Sequence, residues 1–271
     1  MLRRVSRSRS QYKPPVVVFG TGGSGTRALQ RLLDTAGYFM GTNVNRPGDA
    51  LDIAWFIRRW LDPYLARSGW IEKLWRDGEP RRFRHPGGMA SDFRATIEDH
   101  REAIGKRKAR WGWKVPRSIL VFPFIHEFFP EMRAIHLVRD GRDMAYSANQ
   151  NQARRYAEQL LDASAQELPP PVQSISFWAR VNLAAARYGE SALGDRYLRL
   201  RYEEVCADPE GMAARLVAFL DTRKPVEAMQ EVASSEIHPS SSIGRWRERE
   251  ASEIAELERA GGEALRAFGY A

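Results

Sequence analysis

The sequence predicts an α/β fold with three layers, in which helices cover both faces of a parallel sheet. Short apolar runs alternate along the chain with stretches whose apolar residues have helical spacing. The first run, 15–19, breaks at Gly20 into a glycine-rich turn and continues directly as a helix. Because strands that alternate with helices are joined by right-handed crossovers, we expect the strands to be parallel.

The strands and helices are predicted in a regular order. The predicted strands are 15–19, 111–115, 132–139 and 196–201. The predicted helices are 26–36, 49–65, 70–75, 118–129, one that begins near 142, 172–188 and 209–220. Gly37 ends the first helix and Pro116 stops the second strand. A basic loop is predicted at 77–88 and a linker at 169–171.

The length and the charge of the chain limit its class. With 271 residues, of which 43% are hydrophobic, the chain can bury one large core, and we predict a single domain over 15–271. The net charge of +8 predicts an attraction for anions, such as a nucleotide, a polyanionic substrate, nucleic acid or a membrane surface. Residues 1–14 are predicted to form a mobile basic arm.

No targeting segment, membrane segment or metal site is predicted. The arm has no apolar run after its charges, and no stretch approaches the roughly 20 apolar residues of a membrane span. The single cysteine, Cys206, excludes an internal disulfide, and the five histidines lack the spacing of metal ligands. The expected location is the reducing cytoplasm.

A glycine-rich turn follows the first predicted strand. Gly22, Gly23 and Gly25 leave room for a ligand to approach the backbone. The N–H groups of 23–26 are expected to be free, at the positive end of the next helix. Proteins bind phosphate groups with this arrangement. The alternative interpretation is an ordinary turn between a strand and a helix.

The turn differs from the loop that binds nucleoside triphosphates. Gly20 and Gly25 have the spacing of that loop, but Thr26 and Arg27 stand where its lysine and its magnesium-binding hydroxyl are found. The turn is therefore predicted to bind a single 5′-phosphate and to lack a dedicated metal position.

Three further side chains are predicted at the same edge of the sheet. Lys114, Arg139 and Tyr202 stand at the ends of predicted strands, where parallel sheets bind their ligands. A guanidinium at the end of an apolar strand is costly unless an anion or a carboxylate meets it. For Arg139 the alternative is a structural pair with Asp143, and for Lys114 it is a surface lysine.

Four motifs in this order resemble the sulfotransferases that use 3′-phosphoadenosine 5′-phosphosulfate (PAPS). They are GTGGSGTRAL at 20–29, WKVPR at 113–117, LVRDGRDMAYS at 137–147 and LRYEEV at 200–205, the last followed by Asp208 and Pro209. The resemblance covers roughly 16–250. It implies a phosphosulfate-binding turn after the first strand, PAPS as the cosubstrate, adenosine 3′,5′-bisphosphate (PAP) as the product and transfer of a sulfuryl group to a hydroxyl.

The resemblance also implies roles for particular residues in binding PAPS. The 5′-phosphosulfate would contact the turn, namely Gly22, Gly23, Ser24, Gly25, Thr26 and Arg27. The 3′-phosphate would contact Arg139, Ser147 and Arg245, and Tyr202 would line the nucleotide pocket. Tyr202 has the alternative of a buried tyrosine bonded to the backbone, and Arg245 that of a charge at the start of a helix. For Arg142, a solvated charge at a helix start is one interpretation.

Lys114 is predicted to be catalytic. Sulfuryl transfer moves negative charge onto the oxygen that bridges sulfur and the 5′-phosphate, and a fixed cation there stabilises the transition state. We expect Trp111 and Trp113 to wall the lysine stem. Many family members carry a cation at the place of Gly23, and cytosolic members carry a histidine at the place of Pro116. Their absence leaves Lys114, with Arg27, to neutralise the leaving group.

A carboxylate is expected to act as the general base, because the acceptor hydroxyl loses a proton as it attacks sulfur. The family's glutamate falls near 43–45, where this chain has no carboxylate. The nearest candidates are Asp49, which ranks first, and Asp52. Asp49 has the alternative of a helix N-cap.

The acceptor is expected to bind to an insertion at about 41–108. Trp55, Trp60, Trp70 and Trp75 would stack on sugar rings there, and the arginines of 81–84 would hold anionic groups. The alternative for each tryptophan is a place in the core. A glycan or a small molecule is favoured as the acceptor over a protein tyrosine, and nucleic acid is not expected as a partner.

Two other functions remain as alternatives. A nucleotide kinase or triphosphatase would need the lysine that Thr26 replaces. A non-catalytic binder of nucleic acid or of a bisphosphate nucleotide would not need Lys114, and its binding would weaken steeply with salt.

Overall fold

A computed structural model of the protein describes residues 12–77, 83–104, 110–220, 222 and 224–271. Five parallel strands form one sheet in the order β2-β3-β1-β4-β5. They are β1 (Val16–Phe19), β2 (Tyr38–Phe39), β3 (Arg110–Lys114), β4 (Arg133–Val138) and β5 (Tyr197–Arg201). The predicted parallel α/β fold is confirmed. The sequence does not predict β2, because its two residues are too few to show a pattern.

Helices connect the strands and pack on the sheet. They are α1 (Arg27–Thr35), α2 (Leu51–Ser68), α3 (Trp70–Asp77), α4 (Met89–Glu102), α5 (Phe122–Phe128), α6 (Gly141–Ala145), α7 (Asn151–Leu160), α8 (Ala163–Gln166), α9 (Pro170–Leu193), α10 (Tyr202–Ala207), α11 (Pro209–Phe219), α12 (Val226–Glu236) and α13 (Ala251–Ala267). Three short 3₁₀ segments, Pro116–Val121, Gly194–Arg196 and Arg245–Glu248, complete the described elements.

Proline explains two differences from the predicted helices. The predicted helix 118–129 is a 3₁₀ segment followed by α5, and each of these two pieces has a proline in its first turn. The predicted linker at 169–171 is the beginning of α9, because Pro170 and Pro171 occupy the first helical positions, where no N–H donor is needed.

The two faces of the sheet carry separate cores. On β1, Val17 and Phe19 pack with residues of α2, α3, α4, α5 and α9, while Val16 and Val18 pack with residues of α1, α11 and α12. Because side chains alternate along a strand, one apolar run can serve both cores. The predicted arrangement of helices on both faces is therefore confirmed.

The last residues of the predicted basic arm contact the folded part of the chain. Residues 1–11 of the predicted basic arm lie outside the described residues. Trp111 Nε1 donates a hydrogen bond to the Lys13 carbonyl at 2.6 Å, and the mobility of the arm stays a prediction. The guanidinium of Arg101 also lies 4.6 Å from the ring centroid of Tyr12. In the predicted basic loop, 78–82 lie outside the described residues.

A buried histidine ties β4 to its neighbours. The ring of His136 is fully buried and lies 2.6 Å from the Tyr197 hydroxyl through Nδ1 and 2.9 Å from Asn182 Oδ1 through Nε2. The Asn182 amide nitrogen donates to the Trp178 carbonyl, so its oxygen faces the ring and Nε2 carries the proton. A neutral imidazole satisfies both contacts. Burial accordingly lowers the pKa of His136 to about 3.

We expect acid to destabilise the protein through His136. Because its pKa in the folded state lies below the unfolded value of about 6.5, only the unfolded chain gains the proton as the pH falls. The free energy of unfolding should therefore fall by about 1.4 kcal/mol per pH unit between about pH 6.5 and pH 4. Urea unfolding at pH 7 and pH 5 measures this effect in the wild type and in His136→Gln. Equal pH dependence in the two proteins would contradict the prediction.

Candidate active site

The glycine-rich turn lies between β1 and α1, at the middle strand of the sheet. Gly23 and Gly25 have left-handed backbone conformations, with φ of +94° and +88°. A Cβ at Gly25 would lie 2.3 Å from a ring carbon of Tyr202, so no larger residue fits there. The Ser24 N–H donates to the Thr21 carbonyl at 3.1 Å and closes the turn. The expectation that this amide is free is therefore wrong.

Polar atoms without partners surround the turn. The buried hydroxyls of Thr21 and Ser24, and Nε of the buried Arg139, make no hydrogen bond within the described part of the chain. A buried polar group that stays unpaired costs about 1–3 kcal/mol. These donors therefore fit an anion bound at the turn.

Arg139 and Tyr202 lie together beside the turn. Arg139 directly follows β4 and is 7% exposed. Its guanidinium lies 4.9 Å from the ring centroid of Tyr202, the same ring that contacts Gly25. One Arg139 nitrogen donates to the Ser242 hydroxyl at 2.7 Å. The Tyr202 ring therefore lies between the turn and Arg139. The turn and Arg139 are more than 100 residues apart in the chain.

Arg139 makes only a long contact with Asp143, its partner in the alternative interpretation as a structural ion pair. Its nearest nitrogen lies 3.9 Å from the Asp143 carboxylate. That carboxylate instead accepts the backbone N–H of Gly244 at 2.8 Å and that of Trp246 at 3.3 Å. Asp143 therefore holds the 240–248 loop, and the guanidinium of Arg139 keeps donors for another partner.

Ser147 and Arg245 lie on the same side of the turn. The predicted helix that begins near 142 does not extend to Ser147. α6 ends at Ala145, and the Ser147 N–H donates to the Met144 carbonyl. A Cβ at Gly23 would lie 3.4 Å from the Ser147 hydroxyl, which places that hydroxyl beside the turn. Arg245 donates to the carbonyls of the neighbouring Tyr146 and of Ser242, each at 3.1 Å.

Arg142 is a buried structural residue. Interpreting it as a solvated charge is wrong, because it is 6% exposed and its guanidinium binds the Asp140 carboxylate. It also binds Glu258 at 2.9 Å and the carbonyl of Tyr270 at 2.7 Å. These contacts attach α13 and the end of the chain to the turn after β4.

Lys114 points into a cleft at the end of β3. Its side chain is 1% exposed, so the alternative of a surface lysine is wrong. Nζ donates to the Pro47 carbonyl at 2.8 Å and to the Asp49 carboxylate. Burial lowers the pKa of Lys114, and the hydrogen bond to Asp49 opposes this shift.

The tryptophans of β3 do not wall the stem of Lys114 as expected. Trp111 and Trp113 pack in the core on one face of the sheet, with Phe93 of α4 and with Phe129, which follows α5. Because consecutive side chains on a strand point to opposite faces, Lys114 points away from Trp113. The residues that hold its ammonium group come instead from the segment before α2.

The two candidate carboxylates have different surroundings. Asp49 is not a helix N-cap, since α2 begins at Leu51 and Ala50 is its N-cap. Asp49 accepts hydrogen bonds from Lys114 and, at 3.0 Å, from the Asn45 amide, and it lines the cleft. Asp52 lies 2.7 Å from His100 Nδ1 and is not among the residues lining the cleft. The geometry therefore favours Asp49 over Asp52, and the role of either carboxylate as the base stays a prediction.

The cleft of about 600 Å³ brings most of the predicted residues together. The turn contributes Gly22, Gly23, Gly25, Thr26 and Arg27, and Lys114 and Asp49 lie on the β3 side. Sequence reasoning missed Asn45, Arg58, Arg117, Asn149, Asn151 and Gln152, which also line it. Arg117 belongs to the WKVPR motif, but no pattern in the sequence marks the others, because they come from separate loops and helices.

The predicted acceptor-side tryptophans divide between cleft and core. Trp55 is 59% exposed and lines the cleft. Trp70 is fully buried, as the core alternative predicts. Trp60 and Trp75 are half-buried and do not line the cleft. Of the predicted arginines at 81–84, the first two lie outside the described residues.

A smaller cavity of about 290 Å³ lies on the other side of the turn. Gly25, Tyr202, Cys206, Ile237 and His238 are among its lining residues. Burial raises the pKa of Tyr202 to about 12, so its hydroxyl stays protonated at neutral pH. Sequence reasoning missed the part of this cavity that follows α12.

The described residues contain neither a cluster of metal ligands nor a membrane-spanning helix. Within the described ranges, no three His, Cys, Asp or Glu side chains converge as metal ligands. No helix in that same part of the chain has the length and apolar character needed to span a bilayer.

Comparison with known families decides the class of the protein. The model of the sulfotransferase family matches residues 14–225, which include the turn, Lys114, Arg139 and Tyr202. The chain belongs to the sulfotransferase family. It is therefore an enzyme of the class that transfers sulfuryl groups. A search of curated proteins finds no significant match for this sulfotransferase.

Solved sulfotransferases have the same fold. The sulfotransferase domain of the Synechococcus PCC 7002 olefin synthase is 16% identical, with a TM-score of 0.55, and the match covers 96% of this chain and 95% of that one. Sulfotransferase STF9 from Mycobacterium avium is 14% identical, with a TM-score of 0.56 and coverage of 94% and 76%. Mouse sulfotransferase SULT7A1, complexed with PAP, is 12% identical, with a TM-score of 0.52 and coverage of 93% and 84%.

Proposed function

We propose that this sulfotransferase transfers the sulfuryl group of PAPS to a hydroxyl of a glycan or a small molecule. One observation carries the proposal. On one side of the turn, the Tyr202 ring contacts both Gly25 and Arg139. On the other side lies the hydrogen-bonded pair of Lys114 and Asp49. A molecule with phosphate groups at its 5′ and 3′ positions would fit the first arrangement, and a reacting hydroxyl would fit the second.

The donor would bind on the β4 and β5 side of the turn. The glycine turn would hold the 5′-phosphosulfate, with Thr26 and Arg27 adding a hydroxyl and a charge at the start of α1. Arg139, Ser147 and Arg245 would meet the 3′-phosphate. The cavity lined by Tyr202 and His238 would take the base. The presence of PAP in the mouse sulfotransferase, which shares the fold, supports this assignment.

Transfer would occur on the β3 side. The acceptor oxygen forms a bond to sulfur while the bond from sulfur to the bridging oxygen breaks, and PAP leaves with the bonding electrons. Lys114, with one N–H left beyond its two bonds, would stabilise the charge on that oxygen. Asp49 would accept the hydroxyl proton. Its carboxylate can accept about four hydrogen bonds, and its side chain is 22% exposed to the cleft.

Incubation with ³⁵S-labelled PAPS and a panel of glycan, phenol and lipid hydroxyls tests the proposal. We expect label to be transferred to at least one acceptor and calorimetry to detect PAP binding. Magnesium-dependent ATP turnover without sulfuryl transfer would instead support a nucleotide kinase. PAP binding without transfer to any acceptor would support a non-catalytic binder. The expected cytoplasmic location stays a prediction.

A further inference from the structure

The β3 side of the cleft holds arginines without acidic partners. Arg58 on α2 is exposed and Arg117 after β3 is half-buried, and both line the cleft. Neither has a carboxylate partner within the described ranges. The carboxylate that lines the cleft, that of Asp49, is bound to Lys114. This part of the cleft therefore has an excess of positive charge.

A neighbouring arginine on the same helix differs from Arg58 in both respects. Arg59 follows Arg58 on α2, but its guanidinium lies 3.1 Å from the Asp92 carboxylate of α4. It does not line the cleft. The two adjacent arginines therefore differ, because α4 supplies a carboxylate to Arg59 and no carboxylate of the described residues pairs with Arg58.

The position of Arg58 and Arg117 separates them from the proposed 3′-phosphate contacts. In the strand order β2-β3-β1-β4-β5, the glycine turn follows the middle strand. Arg139 and Tyr202 follow β4 and β5, on one side of it, while Lys114 and Arg117 follow β3, on the other. The two arginines of the β3 side are therefore placed to meet the acceptor.

A flat apolar surface lies beside these charges. Trp55 is 59% exposed, which is unusual for so large an apolar ring, and it lines the cleft. It precedes Arg58 by three residues on α2, so the two side chains share one face of the helix. Leu51 and Ala54 extend the apolar part of this wall. A ring can stack on Trp55 while a guanidinium binds a group attached to that ring.

We propose that the acceptor is a ring compound that carries an anionic group, such as a carboxylate or a sulfate, besides the hydroxyl that is modified. Arg58 and Arg117 bind the anionic group and Trp55 stacks on the ring. The inference rests on the proposed function, because it takes the hydroxyl to react between Lys114 and Asp49. Charge-assisted hydrogen bonds from a guanidinium favour carboxylates and sulfates over neutral groups of the same size.

Two matched probes test the inference. 4-Nitrophenyl β-D-glucuronide and 4-nitrophenyl β-D-glucoside share the ring and the aglycone, and they differ in a carboxylate against a hydroxymethyl group. Binding of each is measured by calorimetry with the full chain saturated with PAP. We expect the glucuronide to bind at least about 10-fold more tightly, as one charge-assisted hydrogen bond would give.

Five variants, four single and one double, separate the effect of the charge from that of the ring surface. Arg58→Gln and Arg117→Gln should each reduce the preference for the glucuronide, and the double variant should abolish it. Arg59→Gln is the matched control and should keep the preference. Trp55→Ala should weaken the binding of both probes by the same factor. Binding of PAP should not change by more than about 2-fold in any of them, because PAP binds on the other side of the turn.

The outcomes that overturn the inference are distinct from failure of the proposed function. If the wild type binds the two probes equally, or binds neither while it binds PAP, the acceptor is not of the anionic ring class represented here. A preference that survives in the double variant equally rules out the two arginines as its cause. If the wild type does not bind PAP, the proposed function itself fails.

Discussion

Replacing Lys114 with methionine is expected to lower kcat for sulfuryl transfer by about 10²- to 10³-fold. The ammonium group is the cation that β3 delivers to the cleft, and the structure holds it with the Pro47 carbonyl and the Asp49 carboxylate. Methionine keeps the length of the side chain but supplies neither charge nor donor. Since the charge to be stabilised develops in the transition state, kcat should fall more than the affinity for PAP.

Two controls accompany the Lys114 variant. Calorimetry with PAP should show a dissociation constant within about 3-fold of the wild type, and urea unfolding should show that the variant is folded. Lys73→Met is the matched control, because Lys73 donates to the Ser68 carbonyl and does not line the cleft. Its kcat should equal that of the wild type. Full activity in Lys114→Met would exclude the proposed catalytic role.

Replacing Arg139 with glutamine is expected to weaken PAP binding by about 100-fold, since about two charge-assisted hydrogen bonds are lost. Adenosine 5′-phosphate lacks the 3′-phosphate, so its affinity should stay within about 3-fold of the wild-type value. Calorimetry with both nucleotides measures the difference. The guanidinium has an unpaired Nε and only a loose contact with Asp143, which is why its donors are assigned to the ligand.

The matched control for Arg139 lies at the other end of the strand that precedes it. Arg133→Gln changes the first residue of β4, whose guanidinium packs over Phe219, away from the turn. It should leave both affinities unchanged. An Arg139→Gln variant that loses affinity for both nucleotides equally would show a structural role. An Arg139→Gln variant that still binds PAP tightly would show that Arg139 does not contact the 3′-phosphate.

The glycine turn, Lys114, Arg139 and Tyr202 were accessible to sequence reasoning because their signals are local. Each stands at or next to the end of an apolar run, and the parallel sheet brings such ends to one edge. Local signals fail for α13, which has Gly261 and Gly262 in its interior. A Cβ at Gly261 would lie 2.7 Å from the Ile175 side chain of α9, so the close packing of the two helices at this glycine is a contact between distant parts of the chain.

The choice between Asp49 and Asp52 shows where sequence reasoning stops. The two residues are three positions apart and equally acidic, so their order in the chain cannot separate them. His100 binds Asp52, and Lys114 binds Asp49. His100 lies on α4, a helix that the sequence does not predict. Contacts made across 48 and 65 residues decide which of them faces the cleft.

The sequence by itself determined the parallel α/β fold, the glycine-rich turn after β1 and the residues at the strand ends, because strand pattern and glycine conformation depend on a few neighbouring residues. Only the tertiary structure decided that Arg142 is structural and that Asp49 faces the cleft. It also decided that Arg58, Arg117 and Trp55 line the β3 side of the cleft. These properties depend on which side chains from distant segments meet, and packing and charge pairing in the folded chain determine that.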